Sequence, residues 1–211
     1  MRNIEQIANN IQAKLDDKDT VREIAIKSSR AIIRIAGSVN HGVHKHENME
    51  KEMHEALDEA ERLQSLLEDH QEIWSSGIVQ DALQEMVEAA IVLALLGGHD
   101  LPEPEDLKVP PTTYLLGFAD AIGELRRFAL ESLRQGKVEE AERYLDTMEE
   151  MFLVLMRFDY PDAIVSIRRK QDIARSILEK TRGEVAVAVS SMRLEEKISQ
   201  LKDVLDRQGG A

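Results

Sequence analysis

Four of the five prolines in this chain fall between residues 102 and 111, and the fifth is Pro161. Proline removes a helical hydrogen bond and clashes with the preceding turn, so the chain before residue 102 lacks the strongest helix breaker. Aromatic residues make up only 4% of the 211, which also leaves few of the side chains that favour strands. Hydrophobic residues at 43% and charged residues at 32% give the balance of a folded chain rather than a disordered one. The expectation is therefore all-α: a single-domain bundle of about seven helices over residues 1–211, with a frayed tail at 207–211.

The apolar spacing divides the chain. Ile4, Ile7, Ile11 and Leu15, then Ile24, Ala31 and Ile35, recur at intervals near three, four and seven from about residue 3 to 46. The acidic run "DDKD" at 16–19 is the weak point of this first helix, and "NHGVHKHEN" at 40–48 ends it. A second helix follows in "MEKEMHEALDEAERLQSLLEDH", and a third in "IVQDALQEMVEAAIVLALL" stops at Gly97-Gly98. The proline-rich loop comes next and reads as a connection inside one bundle. Beyond it, "YLLGFADAIGELRRFALESLRQG" closes near Gly136, and "KVEEAERYLDTMEEMFLVLMRF" is a fifth helix. A sixth runs from Pro161 to Gly183, and "AVAVSSMRLEEKISQLKDVLDR" is a seventh.

Several function classes lose support at this point. A net charge of −13 argues against a generic nucleic-acid binder, whose footprint is basic. The absence of cysteine removes disulfide and thiolate chemistry. "MRNIEQIANN" lacks the apolar core of a signal peptide, and no apolar run approaches a membrane span. The expected compartment is the cytoplasm.

Two helices carry paired carboxylates among apolar residues. Glu85 and Glu88 are three apart in "ALQEMVEAAIVLALL", with Asp81 one turn earlier, and Asp120 and Glu124 are four apart. Such pairs share a helix face, where like charges repel. A solvated face is the ordinary explanation. If the four instead converge between helices, they need a compensating cation, and oxygen-only donors select Mg²⁺ or Mn²⁺. Lys27, Arg30, Arg34 and His41 supply the opposite sign as one stripe on the first helix, able to track a phosphate backbone. A solvated face or intersubunit ion pairing would explain that stripe equally.

The stretch "YLLGFADAIGELRRFALESLRQG" resembles the Tyr-Leu-Leu-Gly…Asp…Gly-Glu-Leu segment of the translin family, in its branch of translin-associated factor X. "LQEMVEA" resembles that family's acidic Leu-Gln-Glu…Glu-Ala segment. "YPDAIVSIRRKQDIARSILEKTRG" is similar to the segment preceding its last helix, and "VREIAIKSSRAIIRIAGSVNHG" more loosely to its basic first helix. The resemblance implies an all-α fold that assembles into hollow, usually octameric shells binding single-stranded RNA and DNA. It also implies Mg²⁺-dependent endoribonuclease chemistry, with catalytic and metal-binding roles falling on Glu85, Glu88 and Asp120 and a further ligand at Glu124. Nucleic acid would lie on Lys27, Arg30, Arg34 and His41. The alternative is a non-catalytic translin-like shell that binds single-stranded RNA or DNA. Gly136-Lys137 departs from the family's usual Gly-Asp, and the short loop at 98–111 suggests a compact prokaryotic type that assembles with itself.

On this reading the metal ion activates the water that attacks the phosphodiester and offsets the carboxylates' repulsion. An Asp120→Asn change is then expected to lower cleavage by orders of magnitude while leaving metal-free stability level or slightly raised.

Overall fold

The computed structural model describes residues 3–209, without the side chains of 204 and 206–209; of the expected tail, residues 210 and 211 lie outside it. Seven α-helices occur among the described residues: α1 (Ile4–His44), α2 (Glu50–Leu66), α3 (Gln71–Trp74), α4 (Gly77–Gly97), α5 (Pro111–Arg134), α6 (Val138–Leu155) and α7 (Ile167–Gly209). The all-α expectation holds, but the division of the chain differs in two places. The four-residue α3 was not anticipated. The two helices expected on either side of Gly183 are one, and that helix starts at Ile167 rather than at Pro161. A glycine inside a helix costs only about 1 kcal/mol relative to alanine. Buried Thr181 and Val185 flank Gly183 and hold the helix through it.

The chain forms two compact units, one up to Phe118 and one from Ala119 onward. In the first, α1 packs along α4 and α2. Its buried row is Ala25, Ser29, Ile32, Ala36, Val39 and Val43, not the Ile24–Ala31–Ile35 row expected from hydrophobicity. Three of these six are small, which lets neighbouring helices come close. Ile24 is exposed, as are Ile4, Ile7, Ile11 and Leu15. The "DDKD" run does not break the helix. There the Thr20 hydroxyl donates to the Asp16 carbonyl at 2.9 Å, and Lys18 pairs with Glu72 at 2.9 Å.

α4 is buried on most sides, with Val79, Ala82, Leu83, Met86, Val87, Ala89, Ala90, Ile91 and Val92 all in the core. Fully burying one such Val, Leu or Ile side chain contributes about 1.5–3 kcal/mol. Gly98 closes the helix in the left-handed conformation at φ 67°, and the His99 N–H donates to the Ala94 carbonyl at 3.0 Å. The proline-rich loop stays within this unit, where the Tyr114 hydroxyl donates to the Pro102 carbonyl at 2.8 Å. Gly117 lets the first turns of α5 meet α4, since a Cβ there would stand 2.7 Å from the Gln84 carbonyl oxygen.

The second unit holds the rest of α5 with α6 and α7. Its core includes Leu125, Phe128, Leu145, Met148, Leu155, Ile167 and Leu178. The buried Gln171 amide donates to the carbonyls of Leu155 (2.9 Å) and Phe158 (2.8 Å), which closes the end of α6. Arg126 on α5 donates to the Thr181 hydroxyl at 2.7 Å and pairs with Glu184 on α7.

Candidate functional site

The basic stripe forms as expected. At 100° per residue, Lys27, Arg30, Arg34 and His41 lie within roughly 60° of one another and roughly opposite the buried row of α1. All four are exposed, and among the described residues none is engaged in an ion pair. The Lys27, Arg30 and Arg34 charges, with His41 beside them, are therefore available to a ligand.

On α4, Asp81 and Glu85 are exposed and Glu88 is half-buried, at the point where the helix turns wholly apolar. Across α1, the Asn40 side-chain amide donates to Glu88 Oε1 at 3.3 Å. The other amide atom, Asn40 Oδ1, is buried and without a hydrogen-bond partner. Such orphaned acceptors are uncommon in folded proteins.

In the second unit, Asp120 sits on the half-buried edge of α5, between Ala119 and Ala121 in the core. Both its carboxylate oxygens accept from the Lys170 ammonium of α7, at 2.5 and 2.7 Å. Each side chain is about a quarter exposed. The buried Gln171 fixes the rotation of α7 at this point, and that places its neighbour Lys170 over Asp120. Glu124, one turn on, lies 3.8 Å from Arg127 on its own helix. A lysine of the same chain thus lies against the Asp120 carboxylate. Among the described residues no three His, Asp or Glu side chains are gathered closely enough, as they stand, to hold a metal ion.

Lys170 and Asn40 were not singled out in the sequence. Lys170 stands in "RRKQ", where it looks like one more surface cation, and Asn40 stands at the expected end of α1, where it looks like a helix stop.

The fold and these side chains define an all-helical protein with an exposed cationic stripe on one long helix and part-buried carboxylates, held by donors of the same chain, on two others. The sequence matches the translin family over residues 12–185. It is 33% identical over 198 residues to a Methanocaldococcus jannaschii protein described as "Uncharacterized protein MJ0175", spanning 92% of this chain and 88% of that one. Among solved structures it is similar to the crystal structure of AfC3PO, with a TM-score of 0.80 and 33% identity over 87% of this chain and 97% of that one. A structure of an AfC3PO–duplex RNA complex gives a TM-score of 0.69 and 31% identity over the same shares. The crystal structure of apo-NeC3PO shares the fold at a TM-score of 0.76 and 22% identity, over 86% of this chain and 96% of that one. This chain belongs to the translin family.

Proposed function

We propose that this chain is a metal-dependent endoribonuclease that binds RNA along the Lys27, Arg30, Arg34 and His41 stripe and cleaves it at Glu85, Glu88, Asp120 and Glu124. The observation that carries this reading is the 31% identity, across 87% of this chain, to a protein solved with duplex RNA. The donor set is all oxygen, which suits Mg²⁺ with Mn²⁺ as substitute. Beside Glu88, the unpartnered Oδ1 of Asn40 offers an acceptor for a water molecule. When bound, such an ion polarises a phosphate and makes water more acidic.

The chain's own residues do the rest. The stripe on α1 holds the phosphate backbone without reading bases. Lys170 orients Asp120 and neutralises its charge. Single-stranded RNA is the proposed substrate, with DNA as a further ligand. The protein works as a homo-oligomer, an octamer or dimers assembled into a shell, in the cytoplasm. Exposed apolar rows support self-association: Ile4, Ile7, Ile11 and Leu15 on α1, and Leu153 and Val154 on α6. No described helix is long and apolar enough to cross a membrane.

A second reading, an RNA-binding shell without turnover, draws on the ion pair by which Lys170 already neutralises Asp120. Labelled single-stranded and duplex RNA, incubated with the protein in Mg²⁺ and in EDTA, separates the two. Cleavage that EDTA abolishes and Glu88→Gln removes supports the enzyme. Binding with intact RNA in both buffers supports the reading without turnover.

A further inference from the structure

Asn40 lies on α1, at the edge of the buried row between Val39 and Val43, and reaches Glu88 forty-eight residues away. Its orientation is dictated by its partner. Turning the amide over would set Oδ1 against a carboxylate oxygen, acceptor against acceptor, so the NH₂ group must face Glu88. That choice leaves Oδ1 buried with nothing to accept from. Helix α1 runs on to His44, so the backbone at Asn40 is committed to helical hydrogen bonds and cannot relieve it. A buried amide oxygen with no donor is unfavourable unless a third party completes it.

We propose that Asn40 is the positioning residue of Glu88. Its Nδ2 fixes the carboxylate's rotamer, and its Oδ1 accepts from a water molecule seated beside that carboxylate. The arrangement is the usual one for a metal-ligating group, which a neighbouring side chain holds in place while hydration is organised around it. This inference rests on the reading of Glu88 as a metal-binding carboxylate. It differs from that reading in assigning a role to a neutral side chain on the helix that also carries the basic stripe.

Asn40→Ala and Asn40→Leu in the full-length protein test it. Alanine removes both amide atoms, and leucine removes them while filling the space, so a packing role and a polar role come apart. The probe is Mn²⁺ alone, titrated by electron paramagnetic resonance, with kcat and KM on single-stranded RNA measured beside it. Both variants should bind Mn²⁺ about 10–100-fold more weakly. Each should lose kcat by a similar factor, and keep the KM for RNA because the stripe is untouched. Wild-type Mn²⁺ affinity and kcat in both variants, whatever their melting temperatures, would overturn the assignment and leave Asn40 as a helix contact. If the wild-type protein itself binds no Mn²⁺ and Glu88→Gln changes nothing, the metal-site reading falls and this one falls with it. That outcome is distinct, because it is visible before Asn40 is altered.

Discussion

Removing the charge of Asp120 while keeping its shape, as Asp120→Asn, probes the pair it forms with Lys170. At 2.5 and 2.7 Å, the gross attraction is about 6 kcal/mol for an effective dielectric constant of about 20. Each side chain is about three-quarters buried, and desolvation plus lost side-chain freedom offset most of that attraction, leaving a net coupling of about 1–2 kcal/mol. Asp120→Asn and Lys170→Met should each lower the melting temperature in EDTA by about 2–8 °C. The double variant should lose less than the sum, with a coupling energy near the net figure. Calorimetric melts of the four proteins at neutral pH and moderate salt measure this. A metal-free Asp120→Asn protein as stable as the wild type, or more so, would refute Lys170 as the counterion. It would restore the expectation drawn from the sequence, in which relief of carboxylate repulsion dominates. Lys170→Met carries a further consequence: with its ammonium gone, added Mg²⁺ should raise the melting temperature more than in the wild type.

Replacing Arg30 and Arg34 together with Ala should weaken RNA binding across all sequences. It should also flatten the plot of log affinity against log salt by about 1.4, as expected for two lost phosphate contacts on single strands; an unchanged slope in a filter-binding series would exclude the stripe from the interface. Tyr114→Phe should cost about 1 kcal/mol through the lost bond to Pro102, seen as a lower urea midpoint. Burial, then the nearby Asp106 and Glu103 charges, hold the Tyr114 phenol above its usual 10.0. A raised phenol contributes stability that is present below pH 10 and lost as pH climbs through its folded value. The wild type should therefore lose more stability than the phenylalanine variant between pH 9 and pH 11.

The helices were legible where the chain carries strong local signals. Gly97-Gly98 ends α4 because the left-handed turn at Gly98 suits glycine, and the proline loop separates α4 from α5. The face of α1 was misread by one position because hydrophobicity favours large residues, whereas close packing uses Ala25, Ser29 and Ala36. The division at Gly183 failed for a related reason. Local propensity disfavours glycine, but the buried Gln171, Thr181 and Val185 hold α7 as one helix. Glu88 and Asp120 could be nominated from spacing alone. Their partners could not, since Asn40 is forty-eight residues from Glu88 and Lys170 fifty from Asp120, and only the packing of helices brings each pair together.

The uninterrupted length of α7 has an energetic consequence. Its first half is held by Ile167, Gln171, Ala174, Leu178, Thr181 and Val185, all buried, whereas Leu194, Ile198, Leu201 and Leu205 further on lie exposed. A stretch of some twenty residues without tertiary support is only marginally helical in water. Its helicity should therefore depend on protein concentration, rising where a second copy covers the leucines and fraying on dilution while the rest of the fold stays intact. The far-ultraviolet circular dichroism signal per residue then becomes a gauge of assembly, readable without any nucleic acid.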